Sequence, residues 1–228
     1  MLTVFVSGMI HSMKLCIGLV AFLLPGVIQA YTVYETDTSR PYEIVPIEAA
    51  PPIQHSYLGT LDDYPVMYEV SSDDAFTFVA SISQPANVTP EPLSLLLIRE
   101  NDRGGGVAEV TRVTLDPNEW VRRTDSKLGM NFLTSPAISE SVESGTYRIE
   151  VSSPDNRGQY LLTIGDQPTE PGYFAELAAI RQTQQYFGLS IFSMLRSSYV
   201  YYPIGILLLL FALYKTWSYR HVIRRNAA

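Results

Sequence analysis

The residue types that most often do chemistry in proteins are scarce in this chain of 228 residues. A hydrolase needs a nucleophile with a base within hydrogen-bond reach, and of the three histidines only His55 lies between the two strongly apolar segments. No G-x-S-x-G motif is present, and the single cysteine, Cys16, lies inside the first apolar segment. We therefore predict that the protein is not an enzyme, and we interpret His55 as a strand-edge or linker residue.

Metal chemistry is limited by the same shortage of ligands. Zinc requires three or four Cys, His or carboxylate ligands, and no cluster in the sequence supplies them. Calcium can be bound by carboxylates alone, and acidic residues occur in predicted turns at positions 62–63, 73–74 and 102. Turns of an acidic domain are rich in aspartate in any case. The sequence therefore predicts no cofactor, with calcium as an alternative.

The charge balance excludes another class of function. The chain has 16 basic and 23 acidic side chains and a net charge of −7, whereas a nucleic-acid-binding protein normally presents a basic face to the phosphates. A hydrophobic fraction of 46% with a charged fraction of 17% also argues against a disordered or coiled-coil chain. We expect no nucleic acid among the partners.

The first apolar segment is typical of a secretory signal peptide, which we place at residues 1–30. Lys14 precedes an apolar run, which is followed by a helix-breaking Pro-Gly pair and the small residue Ala30. The run at residues 15–24 is short for the ~20 residues that cross a bilayer. Two alternatives stay open: a translation start at Met13, and an uncleaved first membrane helix.

The second apolar segment, residues 199–219, predicts one transmembrane helix. At ~1.5 Å per residue it covers about 31 Å, which matches the hydrocarbon thickness of a bilayer. Residues 220–228 are basic and contain no acid, so we predict that this tail is cytoplasmic and that the N-terminal domain lies outside, at the cell surface or in the periplasm. The membrane itself is thus a predicted partner. Aromatic and basic side chains at the two ends are predicted to anchor the helix at the headgroups: Tyr199, Tyr201, Tyr202, Tyr214, Lys215 and Trp217.

Between these two segments, the residue pattern of the chain changes at residue 55. Residues 31–54 contain four prolines and little periodicity, so we predict an extended stalk or an edge segment without a core. Residues 55–166 form short runs that alternate apolar and polar types, separated by turn residues, as half-buried strands do. About eight strands at this spacing predict an antiparallel, jelly-roll-like β-sandwich. Near its end the predicted inward side chains are Tyr147, Ile149, Val151, Tyr160, Leu162 and Ile164.

Residues 167–198 predict a juxtamembrane helical segment. The stretch 173–187 is rich in Ala, Gln, Glu and Leu, which favours an amphipathic helix ending near Gly188. Its apolar side chains can share a broad face, which we predict to bind a partner: Phe174, Leu177, Ile180 and Phe187. Its polar side chains are Glu176, Arg181, Gln184 and Gln185.

Two strands resemble a known family. Residues 145–151 fit a G-T-Y-x-[IV]-x-V strand and residues 158–164 fit a G-x-Y-x-L-x-[IV] strand, and together they resemble the last two strands of the bacterial pre-peptidase C-terminal domain. Residues 57–61, 68–70 and 76–78 look like the opening strands of that family. This resemblance implies a small jelly-roll-like β-sandwich that serves as a non-catalytic appendage. The order of signal, sandwich, helix and span is similar to that of single-pass membrane proteins of bacterial genomes.

The function that remains is binding. We predict a non-catalytic, membrane-anchored extracytoplasmic module that binds a protein partner, with an accessory subunit of a membrane or cell-surface complex as one form of it. The alternative is a glycan or cell-wall binding module, in which Trp120 beside Arg122 and Arg123 would stack on a sugar. A weaker alternative is a cargo receptor like those with a GOLD domain, which share the order of segments but have a lumenal disulfide.

Overall fold

The computed structural model describes residues 32–36, 40–47, 50–89, 91–100, 106–114, 116–168 and 172–226. The predicted signal peptide and Asp102 lie outside these residues. The strands are β1 (Val33–Thr36), β2 (Ile44–Pro46), β3 (His55–Asp62), β4 (Val66–Ser72), β5 (Phe76–Pro85), β6 (Ser94–Glu100), β7 (Val107–Thr114), β8 (Val121–Asp125), β9 (Met130–Thr134), β10 (Ile138–Val142), β11 (Gly145–Ser152) and β12 (Arg157–Ile164). The helices are α1 (Tyr173–Tyr186) and α2 (Ser198–Asn226), with 3-10 helices at Pro117–Glu119 and Ile191–Arg196.

The described strands form two sheets with a hydrophobic core between them. The first sheet has the order β1-β3-β12-β5-β9-β8, and β10 also pairs with β5. The second sheet has the order β2-β4-β11-β6-β7. Two pairs, β1 with β3 and β2 with β4, are parallel, and the others are antiparallel. The predicted β-sandwich is confirmed, with two parallel pairs added at its edges.

The main core follows the predicted period of two. All six side chains of β11 and β12 that were predicted to point inwards are buried and belong to one cluster. In β6, Leu95 and Leu97 are buried, but Leu96 and Ile98 are only half-buried. The continuous apolar run of β6 predicts a strand covered on both sides. The structure instead covers one of its faces fully and the other in part.

Residues 31–54 were predicted as a stalk or an edge segment, and their described part contributes an edge strand to each sheet. Strand β1 lies parallel to β3, and β2 lies parallel to β4. The Oγ1 atom of Thr36 lies 3.3 Å from the hydroxyl of Tyr68, which in turn lies 3.0 Å from the hydroxyl of Tyr160. Burial raises the pKa of Tyr68 to about 12, so this network stays protonated at ordinary pH. Proline is rare in central strands but is tolerated on edge strands, so the prolines of this segment do not argue against strands at the edge of a sheet.

Helix α2 is the one helix in the described part of the chain that is long and apolar enough to cross a membrane, over Ser198–Tyr219. It begins at Ser198, five residues before Pro203, although a proline favours the first turn of a helix. Pro203 has no N–H to donate to the carbonyl of Tyr199, four residues earlier. The hydroxyl of Tyr173 donates to that carbonyl at 2.8 Å. A side chain of α1 thus replaces the missing helical hydrogen bond.

Candidate functional site

The predicted partner-binding face of α1 is not free, because the helix lies on the outer face of the first sheet. Ile180 is fully buried, and the ring of Phe187 meets that of Phe132 edge to face, with centroids 5.8 Å apart. Leu177 is half-buried, and only Phe174, at 82% exposure, points away from the domain. The four residues therefore do not form one exposed face.

The sheet beneath α1 explains why the helix lies there. Strands β3, β9 and β12 and the turn before β9 place apolar side chains on the outer face, where they need cover from water. With Ile180 of the helix they form a second buried cluster, separate from the main core: Leu58, Leu128, Met130, Phe132 and Leu161. The partly buried side chains of Tyr186, Phe187, Leu189, Met194 and Tyr199 pack around it.

Three polar side chains of α1 are buried; Thr183 donates to the carbonyl of Ala179 within the helix at 2.9 Å, and the other two contact the turn before β9. Glu176 has 0% exposure, and its Oε1 atom lies 3.2 Å from Nζ of Lys127, whose side chain is 22% exposed. The Nε2 atom of Gln184 donates to the carbonyl of Leu128 at 2.6 Å. Hydropathy assigns both residues to the polar side of the helix. It misses their burial because a buried polar group depends on a specific partner, which only the tertiary structure supplies.

The β8–β9 turn (residues 126–129) fixes the start of α2 to the sandwich. The amide of Ser198 donates to the carbonyl of Ser126 at 2.8 Å, and the hydroxyl of Ser197 donates to the carbonyl of Lys127 at 2.6 Å. Gly129 has a φ of +65°, and a Cβ atom there would lie 2.8 Å from the carbonyl carbon of Arg196. Only glycine fits this position without strain. The apolar helix therefore joins the domain without a flexible linker.

The anchors predicted for the membrane ends divide between the domain and the surface of α2. The ring of Tyr199 stacks on that of Tyr173, with centroids 6.0 Å apart, and belongs to the contact with the domain. Nζ of Lys215 lies 5.8 Å from the ring centroid of Phe211. The remaining four are exposed on the helix: Tyr201, Tyr202, Tyr214 and Trp217. Their role at a membrane stays a prediction.

A surface groove of about 480 Å³ opens on the outer face of the first sheet, next to the area that α1 covers. Its floor is built from two rows of residues that are in register across neighbouring strands. The first row is Ser56, Thr163 and Ser81, and the second is Leu161, Ser83 and Thr134. We call this feature the hydroxyl groove, since five of these six residues carry a hydroxyl.

Four of the five hydroxyls in the groove floor are paired with one another. Oγ of Ser56 lies 3.3 Å from Oγ1 of Thr163, and Oγ of Ser83 lies 3.0 Å from Oγ1 of Thr134. Each hydroxyl can donate one hydrogen bond and accept two, so the pairs keep capacity for a ligand. A nucleophilic serine would instead be paired with a base. The geometry suits recognition of a polar ligand.

Charged side chains stand at the rim of the groove. Arg123 of β8 is exposed and makes no ion pair with any residue that the structure describes. Asp125 is half-buried, and its Oδ1 atom accepts a hydrogen bond from the amide of Leu128 at 2.9 Å. Lys127 also lines the groove and is held by Glu176. Arg123 is thus the cation at this rim that is available to a ligand.

The residues considered for sugar stacking and for base catalysis are buried, and those considered for metal binding do not form a cluster. Trp120 is 7% exposed and packs in the main core, so it cannot stack on a sugar from solvent. Phe132, which also lines the groove, is buried as well. His55 is buried beside the ring of Tyr34, neither ring nitrogen has a hydrogen-bond partner, and burial lowers its pKa. Within the described residues no three His, Cys, Asp or Glu side chains come together as a metal site requires.

No family model and no curated protein sequence matches the chain. Solved structures similar to it include the pre-peptidase C-terminal domain of a collagenase from Bacillus anthracis, the family that the strand motifs resemble, at 15% identity over 56% of this chain and 98% of that one, with a TM-score of 0.35. A mitogen from Yersinia pseudotuberculosis is similar at 14% identity over 53% and 91%, with a TM-score of 0.35. PliG of Aeromonas hydrophila, a periplasmic inhibitor of g-type lysozyme, is similar at 12% identity over 60% and 98%, with a TM-score of 0.34.

Proposed function

We propose that the protein is a non-catalytic, membrane-anchored module that binds a polypeptide partner in the hydroxyl groove, close to the bilayer surface. The observation that carries this proposal is the place of the groove. Ser126 and Lys127 line it, and the carbonyls of the same two residues accept hydrogen bonds from Ser198, the first residue of the apolar helix, and from Ser197 before it. The β8–β9 turn would thus contact both a ligand in the groove and the start of the span.

The membrane topology is part of the proposal. The exposed apolar surface of Ser198–Tyr219 supports a membrane-spanning helix, since 0% of its apolar window is buried against the domain. The basic tail without acids supports a cytoplasmic C-terminus. The domain that carries the groove then lies outside the cell or in the periplasm.

The chemistry of the groove favours a polypeptide. Its volume of about 480 Å³ lies within the ~300–1,000 Å³ of ordinary ligand sites. The serine and threonine hydroxyls can bond the amides and carbonyls of an extended chain. The guanidinium of Arg123 suits a carboxylate, which it can bind through two parallel hydrogen bonds. A glycan site usually adds an exposed ring, and the aromatic side chain in this groove, Phe132, is buried beneath its surface.

The test is crosslinking in native membranes with the full-length protein carrying a tag on the cytoplasmic tail. Arg123→Glu reverses the charge at the rim of the groove. Arg122→Glu is the matched control, because Arg122 is the exposed neighbour in β8 whose side chain points to the other face and donates to the carbonyl of Ala86 at 3.1 Å. We expect a protein that crosslinks to the wild type and to Arg122→Glu, and whose yield falls at least tenfold with Arg123→Glu.

Two results would contradict the proposal. One is a partner that crosslinks equally to both variants, because the groove would then not bind it. The other is recovery of cell-wall polysaccharide instead of a protein, which would favour the glycan-binding alternative. Both variants change exposed side chains, so an unchanged thermal unfolding midpoint serves as the control for folding.

A further inference from the structure

Four large apolar side chains are exposed where the domain meets the apolar helix. Phe174 lies in the first turn of α1, and Ile191, Phe192 and Leu195 lie in the 3-10 helix Ile191–Arg196. Phe192 is 76% exposed, and the other two in the 3-10 helix are more than half exposed. We call these four residues the apolar patch. None of them contributes to the two buried clusters or to the hydroxyl groove.

Two separate parts of the chain bring the patch to the start of α2. The ring of Phe174 lies 5.5 Å from that of Tyr173, which stacks on Tyr199 in the first turn of α2. Leu195 precedes Ser198 by only three residues. The patch therefore surrounds the point at which the apolar helix leaves the domain.

The short connection between the patch and α2 limits how far the patch can lie from a bilayer that α2 crosses. A 3-10 helix rises ~2.0 Å per residue and an extended chain ~3.5 Å, so Phe192 lies at most about 15 Å from Ser198. The 22 residues of Ser198–Tyr219 cover roughly 33 Å at ~1.5 Å each, which places Ser198 at the edge of the ~30 Å hydrocarbon layer. The headgroup region adds about 5–8 Å on each side. The patch is therefore within reach of that region.

We propose that the apolar patch inserts into the headgroup–acyl boundary of the bilayer, so that the domain rests on the membrane as well as being tethered to it. Lipid is the occupant because the patch is continuous with the surface that the membrane span itself exposes. The charged residue within the 3-10 helix, Arg196, is exposed and basic, as suits contact with lipid phosphates. The inference rests on the proposed span and goes beyond it by fixing the orientation of the domain.

Depth-dependent fluorescence quenching tests this contact in the full-length protein. A Cys16→Ser background carries one new cysteine at a time, labelled with an environment-sensitive fluorophore: Phe192→Cys in the patch, Leu208→Cys in the middle of the span, and Val107→Cys at the exposed start of β7, an edge strand of the second sheet. The protein is reconstituted into vesicles of phosphatidylcholine and phosphatidylglycerol. Quenching is measured with lipids spin-labelled at the headgroup or deep in the acyl chain, and with iodide from the water.

We expect the label at position 192 to be quenched by the headgroup spin label and shielded from iodide. The label at 107 should be open to iodide, and that at 208 should be quenched by the deep spin label. Iodide access at 192 equal to that at 107 overturns the inference, while deep quenching at 208 in the same experiment leaves the span intact. If the label at 192 is shielded from iodide but is not quenched by either spin-labelled lipid, protein covers the patch in place of lipid. This result also overturns the inference. Loss of deep quenching at 208 rejects the span, and with it the contact.

Discussion

The ion pair between Lys127 and Glu176 gives the sharpest prediction for the contact between α1 and the sandwich. Lys127→Met keeps an unbranched side chain, one atom shorter, and removes its charge. Glu176, with 0% exposure, then loses the cation 3.2 Å from its Oε1 atom. Breaking a buried ion pair in this way costs about 3–5 kcal/mol, and the 22% exposure of Lys127 places the expected value near ~3 kcal/mol. The ammonium also lies 5.9 Å from the ring centroid of Tyr199, a contact that the variant loses too.

Hydrogen exchange of the amides of α1, measured on the full-length protein in detergent, reports this loss. A change of ~3 kcal/mol corresponds to roughly 150-fold faster exchange, since each ~1.36 kcal/mol is a factor of ten. Arg157→Met is the matched control, because the pair between Arg157 and Asp63 has a similar length of 3.1 Å but side chains that are 73% and 61% exposed. Exposed pairs contribute ~0–1 kcal/mol, so exchange in that variant should change by less than about fivefold.

A double variant separates the charge from the packing. Replacing both partners, as in Lys127→Met with Glu176→Leu, removes the buried charge together with its counter-ion, and such replacements are often neutral. We expect slow exchange to be largely restored. If the double variant exchanges as fast as Lys127→Met, or if Lys127→Met matches Arg157→Met, the reasoning that a buried carboxylate holds α1 in place is refuted.

Three further predictions concern the same contact and the sandwich beneath it. Gly129→Ala should speed cleavage by trypsin after Arg196 in limited proteolysis, because a Cβ at the φ of +65° would meet backbone atoms at 2.8 to 2.9 Å; an unchanged rate speaks against a tight joint. Ile180→Ala should lower the free energy of unfolding by ~2–5 kcal/mol and Phe174→Ala by less than about 0.5 kcal/mol, measured by chemical denaturation; equal losses contradict the burial pattern. Burial lowers the pKa of His55, so its unfolded form takes up a proton first and stability should fall as the pH drops below ~6.5, whereas His55→Gln should flatten this dependence; equal slopes contradict the buried, neutral imidazole.

The parts of the fold that depend on local patterning were predictable from the sequence. Alternation in Tyr147, Ile149 and Val151 places these side chains in the core because successive residues of a strand point to opposite faces. Turn residues between these runs are also a local signal, and they mark where the strands end. For β1 and β2 the sequence predicted only an extended stalk or an edge segment, because strands of four and three residues are too short for a period to show, and their parallel pairing depends on distant partners.

The candidate site was not predictable, because its residues meet only across strands. Ser81 and Thr163 lie in register on neighbouring strands although more than eighty positions separate them in the chain. Small hydroxyl residues alternating along β5 are typical of any solvated strand face, so they do not by themselves indicate a groove. The burial of Glu176 and Gln184 was hidden for a similar reason, since their partners, Lys127 and the carbonyl of Leu128, lie in the distant β8–β9 turn.

The outer face of the first sheet has two halves, and together they connect the proposed ligand groove with the membrane-spanning helix. The apolar half, with Leu58 and Met130, is covered by α1, while the hydroxyl half remains open as the groove. Residues 123–127 line the groove, and two of them, Ser126 and Lys127, accept hydrogen bonds through their carbonyls from the amide of Ser198 and the hydroxyl of Ser197. Under the proposed topology, a ligand in the groove is held at a fixed height and orientation above the bilayer, because no flexible linker separates the domain from the span. Such geometry favours a partner that is itself bound to the membrane, since a soluble partner gains nothing from a site held at one height.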